Sequence, residues 1–482
     1  MGLFGLFKKR ETYTPTQEDI WYERGLAAYK AGDYDAALAS LQPAAANGHA
    51  NAQYYCGKIY CTVKKRDYQR AFFYFKQAAY NGQHDAQFEY AYMRYYGIHG
   101  ITKDLDEAAD FFKKAAEWGH IEAQYQLAKL YDYGDTKLGK DKALAYVWYR
   151  KAADQGHAKA QYSVGVACFN GSGTLVDYDK AITYLDASAK QGYVGSQRML
   201  GELYSNQYHW GDRIIKPNYE KSLYWYEKAA QQGSTDAQRE CGIMYMNGKG
   251  TAADNKKALY WLEKASAPRY GLSGDLKAKK LCAMLYYEEG SGTEEELQKA
   301  LYWYERAAEQ GDRESQFFTG YMYEFGEGTK EDPAKALEWY EKAASQGSAS
   351  AMLQSGFLYD TGKGVAKDRE KAFALFKKAA EQGSVPAMLE CGYRYLAGEG
   401  IEQDFTQAFY WCSKAAERGD DTAKYQCSYM YSAGLGVNED REKSLYWYNQ
   451  IKDESIKERL KPLLNDSPSP RGFFDPFAII NS

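Results

Sequence analysis

Glycine returns along this chain at residues 48, 82, 119, 156, 192, 233, 271, 311, 347, 383 and 419, at intervals of 34, 37, 37, 36, 41, 38, 40, 36, 36 and 36 residues. A phrase returns with it. Ala300–Asp312 reads ALYWYERAAEQGD, Ser222–Ser234 reads SLYWYEKAAQQGS, and Ala336–Ser348 reads ALEWYEKAASQGS. Self-similarity at such a period marks a stack of supersecondary units, each too small to bury its own apolar face and therefore dependent on its neighbours. A chain of 482 residues would by size alone make about three ordinary domains. The period instead predicts one repeat array.

Each unit reads as two helices. In the second, Ala300, Trp303, Tyr304, Ala307 and Ala308 fall at i, i+3, i+4, i+7 and i+8, an apolar stripe at helical period. Ala336, Trp339, Tyr340, Ala343 and Ala344 repeat it, as do Ala108, Phe111, Phe112, Ala115 and Ala116. Paired alanines admit a neighbouring backbone closely, while the aromatic pair fills the wider gap. The glycine that follows suits a helix end, where a left-handed residue is often required. The first helix of the next unit then begins: AMLECGYRY at Ala387–Tyr395, AQRECGIMY at Ala237–Tyr245 and SQFFTGYMY at Ser315–Tyr323. A small residue in mid-helix weakens a helix, yet one recurs at Gly57, Ala128, Gly242, Gly320, Gly356 and Ser428, which predicts tight helix crossing. Between the helices lies a G-x-G turn, as in Gly362-Lys363-Gly364-Val365. Including an opening pair near residues 20–48 and a closing pair near 422–451, the count is about twelve pairs. The longer intervals are expected to hold extra loop, at Tyr208–Asp212 and at Pro268–Gly271.

A unit of about 36 residues reading A-x3-[small apolar]-[G/A]-x2-Y, then G-x-G-V, then KA-x2-WY-x-KAA-x-QG resembles the Sel-one-like repeat, a relative of the tetratricopeptide repeat. The resemblance implies an all-α fold, an α/α right-handed superhelical solenoid, whose usual work is holding other proteins or peptides without catalysis. It implies adaptors, regulators and immunity-type inhibitors of toxins within that work. The expected division is a flexible segment over 1–15, a tetratricopeptide-like cap over 16–48, the repeat solenoid over 49–451, and a capping helix and tail over 452–482. Arg94 and Cys168 depart from the pattern where the first helix usually has Tyr. Pro268-Arg269 departs from the usual Gln-Gly close and predicts local bending near residues 265–275.

Composition excludes several other classes. A net charge of −4 gives no electrostatic case for nucleic acid or an anionic membrane. No run approaches the ~18 apolar residues of a membrane helix. In MGLFGLFKKR the positive charges follow the apolar patch, the reverse of a secretory signal. Any membrane contact would fall to this segment, and the expected compartment is the cytoplasm.

Chemical motifs are absent. Gly248-Lys249-Gly250-Thr251 lacks the spacing and preceding strand of a phosphate loop, and its position marks it as another turn. Of the eight cysteines, Cys56, Cys241, Cys282, Cys391 and Cys427 stand one per unit at one small buried position, and the one close pair, Cys56 and Cys61, should point different ways on its helix. They read as reduced packing residues, with no zinc spacing. His49, His120 and His157 each open a first helix, with no carboxylate pattern to complete a metal site. No cofactor, metal or catalytic residue is expected.

The work is therefore expected on a surface, the concave one lined by first helices. Positions two, six and nine after the first-helix Ala share a face. The candidate partner-binding residues there are Tyr54, Phe88, Tyr92, Tyr125 and Tyr162, then a more charged middle at Arg198 and Arg239, then Phe317, Tyr321, Phe357, Tyr393, Tyr425 and Tyr429. Tyrosine offers wide contact area at low entropy cost. The same rings would also serve as padding between successive first helices. The rival functions are an enzyme, an enzyme regulator, or a glycan or small-molecule binder that stacks sugars on these rings. At the chain's end, Phe473, Phe474, Phe477, Ile479 and Ile480 are expected to cap the last pair or to dock on a partner.

Overall fold

The structure is a computed structural model that describes residues 15–62, 66–210, 213–268, 271, 273–288 and 292–458. The apolar-basic segment at the start and the Phe-rich tail lie outside the described residues. Those residues form twelve helix pairs, from Gln17–Lys30 with Tyr34–Ala46 to Asp421–Ala433 with Arg441–Gln450. They fall into two compact units, residues 1–237 with 249–252, and residues 238–248 with 253–482. Within each unit consecutive helices pack on one another.

The crossing inside a pair explains the small mid-helix residue. In the helix Ala349–Thr361, a Cβ added at Gly356 would lie 2.4 Å from Phe376 Cε1, and one at Gly320 would lie 2.7 Å from Tyr340 Cδ1. The large ring four residues after the second-helix Ala occupies the space a side chain would need. Tyr340 and Phe376 are fully buried, and burying such a ring contributes ~2–3 kcal/mol.

Polar ends are closed by side chains. Asp177, Asp254 and Asp368 cap second helices, each accepting from the backbone N–H three residues on at 2.9–3.0 Å. First helices use the residue after the repeat glycine, and three of these caps are histidines. His49, His120 and His157 accept at Nδ1 from Ala52, Ala123 and Ala160 N–H at 3.0–3.1 Å. The regular histidines are thus helix caps.

An amide ladder joins one pair to the next. Gln124 Nε2 donates to the Ala116 carbonyl at 3.1 Å, and its Oε1 accepts from Gln155 Nε2 at 2.8 Å. Gln53, Gln161 and Gln316 hold equivalent places, with Asn81, Gln191 and Gln346 as the next partners. This is why Gln stands both after the first-helix Ala and before the repeat glycine. Where Met352 and Met388 replace that Gln, the position is buried and apolar instead.

At the G-x-G turn, Gly250 has φ +80°, and a Cβ there would meet the Tyr219 carbonyl oxygen at 2.3 Å. The glycine lets the turn lie against the start of the preceding second helix, so Gly248–Thr251 is packed as a turn.

Two long intervals differ from plain loop. Tyr208–Trp210 pairs antiparallel with Arg213–Ile215, so the first insertion is a short β-ribbon, one local exception to an all-α fold. At the second, the helix Asn255–Ser266 ends with Ala267 extended at φ −66°, ψ 134°. A Cβ at Gly274 would lie 2.1 Å from the Ser266 carbonyl oxygen, so the chain returns tightly over that helix end.

Candidate functional site

In the first unit the first-helix rings stack on the cap of the following first helix. Tyr22 stacks on His49 with centroids 4.7 Å apart and Phe88 on His120 at 4.4 Å, while Tyr125 meets His157 tilted at 4.7 Å and Tyr162 meets Tyr193 tilted at 5.2 Å. Each histidine Nε2 then faces a carboxylate of the preceding first helix: Asp19 at 3.6 Å, Asp85 at 4.0 Å and Glu122 at 2.9 Å. Phe88, Tyr125 and Tyr162 are therefore joint residues on one ring face and half-buried overall. Burial, then the neighbouring Tyr193 and Glu122, push the Tyr125 phenol up to about 12. Tyr54 packs on Tyr55 at 5.3 Å and Phe75 at 6.0 Å, and burial raises its pKa as well.

Position six leads outward. Tyr92 meets Tyr96 at 4.6 Å, and in the second unit Tyr321 meets Phe325 at 4.6 Å. Phe325 is 53% exposed and Tyr133, at the same position, 61%. Position ten after the first-helix Ala thus carries the open rings of this face, Tyr96, Tyr133 and Phe325. Position six predicts them by the i, i+4 rule, a signal that the choice of positions two, six and nine overlooked.

The remaining candidates divide. Phe317 packs on Phe318 and Tyr340 at 5.5 and 5.6 Å, and Phe357 on Phe376 at 5.1 Å. Tyr393 and Tyr429 are half-buried. Tyr425 corrects the sequence reading. It is 1% exposed, packed with Ile451, Tyr448 and Ile456, because the chain after the last pair folds over it. The charged middle is mostly self-paired. Arg198 lies 3.7 Å from Glu202, while Arg239 holds Asp275 at 2.6 Å and Glu240 at 3.3 Å.

A polar cluster absent from the sequence reading lies in the second unit. Arg394 stands where other first helices bury Leu or Met, such as Met322 and Leu358, and is itself 5% exposed. It bonds Asp360 through both terminal nitrogens at 2.7 and 3.1 Å, Glu399 at 3.3 Å and Glu390 at 3.4 Å. Burial pushes the Glu390 carboxyl above the usual range despite Arg394. The eighth residue after the first-helix Ala tells a similar story: Arg94 pairs with Glu107 at 2.8 Å, and Cys168 is buried beside the Tyr146 hydroxyl at 3.8 Å.

Second helices carry a separate row of open rings, Tyr224, Tyr260, Tyr302, Tyr410 and Tyr446, all about half exposed. Each lies edge-on to the tryptophan that follows it. All eight cysteines are free and seven are buried. Burial pushes the thiols of Cys56, Cys391 and Cys412 up to about 12, far from a nucleophile's range. Among the described residues no three His, Cys, Asp or Glu side chains are placed to hold a metal ion. None of the described helices is long and apolar enough to cross a membrane.

Paired helices stitched by caps and amides, with rings along one face of the first helices, define an α/α repeat solenoid. The Sel1 repeat profile matches residues 50–83, 84–120, 121–157, 158–193, 194–234, 235–267, 278–312, 313–348, 349–384, 385–420 and 422–453. The chain belongs to the Sel1 repeat family. The matches break at 268–277, around the early helix end at Ser266. Among solved structures, the chain is similar to a protective antigen of uropathogenic Escherichia coli strains that displays an SLR fold, with 30% identity, a TM-score of 0.69, and 89% of this chain and 90% of that one covered. It is also similar to a Sel1 repeat protein from Oxalobacter formigenes, at 27% identity and TM-score 0.35 over 72% and 87% of the two chains. A third is an immunity protein from Pseudomonas aeruginosa, at 23% identity and TM-score 0.28 over 45% and 82%. A search of curated proteins finds no match. Sel1 repeat proteins generally mediate protein–protein interaction, and the fold is typically a non-catalytic scaffold.

Proposed function

We propose that this chain is a non-catalytic scaffold or adaptor that binds a protein or peptide on the face of its first helices. The observation that carries the reading is the pair of outward ring steps, Tyr92–Tyr96 and Tyr321–Phe325. In each, a half-buried ring supports an exposed one, so a partner gains aromatic area without ordering a loose side chain. Rings already seated in joints lose little freedom on binding. The eight free cysteines fit a reducing compartment such as the cytoplasm.

The test places the photo-crosslinker benzoylphenylalanine at Tyr321 or Phe325, and at Tyr302 on a second helix as comparison. Partner cross-links are expected at the first two positions. They should vanish in a folded Phe317→Ala/Phe357→Ala/Tyr393→Ala variant of the same unit. Equal cross-linking at Tyr302 would count against the first-helix face.

One feature favours a second reading, a glycan or small-molecule binder. A surface depression of about 480 Å³ is lined by Gln53, Phe73, Lys76, Gln77, Tyr80 and Asn81, so two exposed rings frame amide side chains. Gln53 and Asn81 already bond each other at 2.9 Å, which leaves fewer polar groups to a sugar. A thermal-shift screen with glycans, repeated on Phe73→Ala, decides between the two.

A further inference from the structure

Trp118 occupies a place that belongs to a side-chain amide in five other helix pairs. There the residue before the repeat glycine donates to the buried Gln near the start of its own pair's first helix. Asn81 donates to Gln53, Gln155 to Gln124, Gln191 to Gln161, Gln232 to Gln197 and Gln346 to Gln316, all at 2.7–2.9 Å. In two of these pairs the same amide also reaches the carbonyl of the glycine before that first helix, Gly48 at 3.3 Å and Gly156 at 3.0 Å.

In the pair His84–Tyr96 with Leu105–Glu117 that rung is missing. Gln87 is 6% exposed and still donates backward to the Ala79 carbonyl at 3.3 Å. Its Oε1 is buried with no donor among the described residues. Trp118 stacks instead on the His84 ring, with centroids 4.0 Å apart and planes 23° from parallel. His84 Nδ1 is also buried without a hydrogen-bond partner among the described residues. His84 and Gln87 are three residues apart on one helix and so share a side of it. Trp118 itself is 71% exposed, so one face of the indole rests on His84 and most of the rest is bare. A buried amide oxygen without a donor carries a desolvation cost, and a donor from outside the chain relieves it.

We propose that the gap beside Trp118 is a binding site for a primary carboxamide, supplied by a Gln or Asn side chain of a partner protein. The incoming amide takes the place that Gln155 and Gln191 fill in their own pairs. One N–H goes to Gln87 Oε1, and the other to the carbonyl of Gly82, the counterpart of Gly48 and Gly156. Trp118 is the cover. One aromatic stack is a small loss, so the indole turns off His84, opens the gap and lies against the residues flanking the amide. A proline there suits it, because the ring packs on an indole face and has little freedom to lose. A carboxylate is rejected, since it would set oxygens against two acceptors with no hydrogen to share. This site stands apart from the ring steps Tyr92–Tyr96 and Tyr321–Phe325, and either can fail without the other.

The test labels the ten tryptophans of the full chain with 5-fluorotryptophan and follows fluorine NMR, the Trp118 resonance being the one lost in Trp118→Phe. The probe is the peptide Gly-Pro-Gln-Pro-Gly, capped by acetyl and N-methylamide so that Gln carries its one primary amide. The Glu counterpart and nicotinamide are run beside it. The Gln peptide is expected to shift the Trp118 resonance saturably. The Glu peptide, or Gln87→Met in the protein, should weaken the effect roughly tenfold, the scale of one buried hydrogen bond. Gln316→Met in the second unit should leave it unchanged. Without any peptide, Trp118→Gln supplies the donor from within and should slow amide exchange over His84–Tyr96. Helical circular dichroism confirms that each variant is folded.

Equal shifts with the Gln and Glu peptides would overturn the amide assignment, and so would a shift that survives Gln87→Met. A Trp118 resonance that no probe moves, even at ~20 mM, would leave water as the donor in the gap and end the proposal. A shift with nicotinamide and none with the Gln peptide would overturn the side-chain source in favour of a small molecule. Exchange left unchanged or faster in Trp118→Gln would show that no rung is missing here.

Discussion

Replacing Gly356 by Ala tests the packing rule behind every pair. In an ordinary helix the change stabilises by ~1 kcal/mol, because glycine is the poorer helix former. Here the new Cβ would lie 2.4 Å from Phe376 Cε1, 2.8 Å from Cδ1 and 3.0 Å from Cζ. Carbon atoms rest at ~3.5–4.0 Å, so the ring must retreat by ~1 Å. Its room is limited: Phe376 is fully buried, with Phe357 at 5.1 Å and the Arg394 guanidinium at 5.3 Å. Overpacking of this kind costs ~1–3 kcal/mol, and a ring held from both sides belongs toward the upper end. The net expectation is ~1–2 kcal/mol of destabilisation, the opposite sign to propensity alone. Hydrogen exchange over Ala349–Thr361 and Arg369–Glu381 in the full chain reads it locally, as exchange about 5–30-fold faster. Phe376→Ala, itself costing ~3–5 kcal/mol, removes the clash, so the double variant should be more stable than additivity requires. Slower exchange in Gly356→Ala, or strict additivity in the cycle, refutes the rule.

Three more expectations follow from the joints. Gln124→Met should cost ~1–3 kcal/mol by stripping the Ala116 carbonyl of its donor and the Gln155 amide of an acceptor, read as a lower thermal midpoint. His120 has its pKa lowered from 6.5, chiefly by burial and against the pull of Asp85, Glu89 and Glu122. The folded state therefore binds its proton less readily than the unfolded state. Stability from this group is complete above the unfolded value and is lost as pH falls below it toward the lower folded value. The urea midpoint should drop from pH 7.5 to 5.5 by more in the native chain than in His120→Asn, which keeps a capping acceptor. Arg394→Met restores the apolar residue of other repeats but strands Asp360 and Glu390, and should cost ~3–5 kcal/mol in denaturant titration. Adding Glu390→Gln should recover part of that loss.

Much of this molecule was legible because the repeat writes its own grammar many times. Gly57, Gly320 and Gly356 betrayed the close crossing, since a helix keeps such residues only where a neighbour needs the space. The turn glycines and the buried single cysteines were readable for the same reason: each is a local demand made at a fixed place in the unit. What lay across a joint was not legible. That Gln124 bonds both backward to Ala116 and forward to Gln155 is set by three segments meeting, and a single helix pattern contains no trace of it. The histidine caps were visible as positions but not as platforms for Phe88 and Tyr125. Tyr425 illustrates the limit most clearly. Its place in the period equals that of half-exposed Tyr125, yet the segment around Ile451 covers it. Periodicity determines which face of a helix a side chain occupies, because that follows from bond geometry along one chain. Whether that face meets water, a cap or another helix depends on what packs against it, and only the tertiary structure decides that.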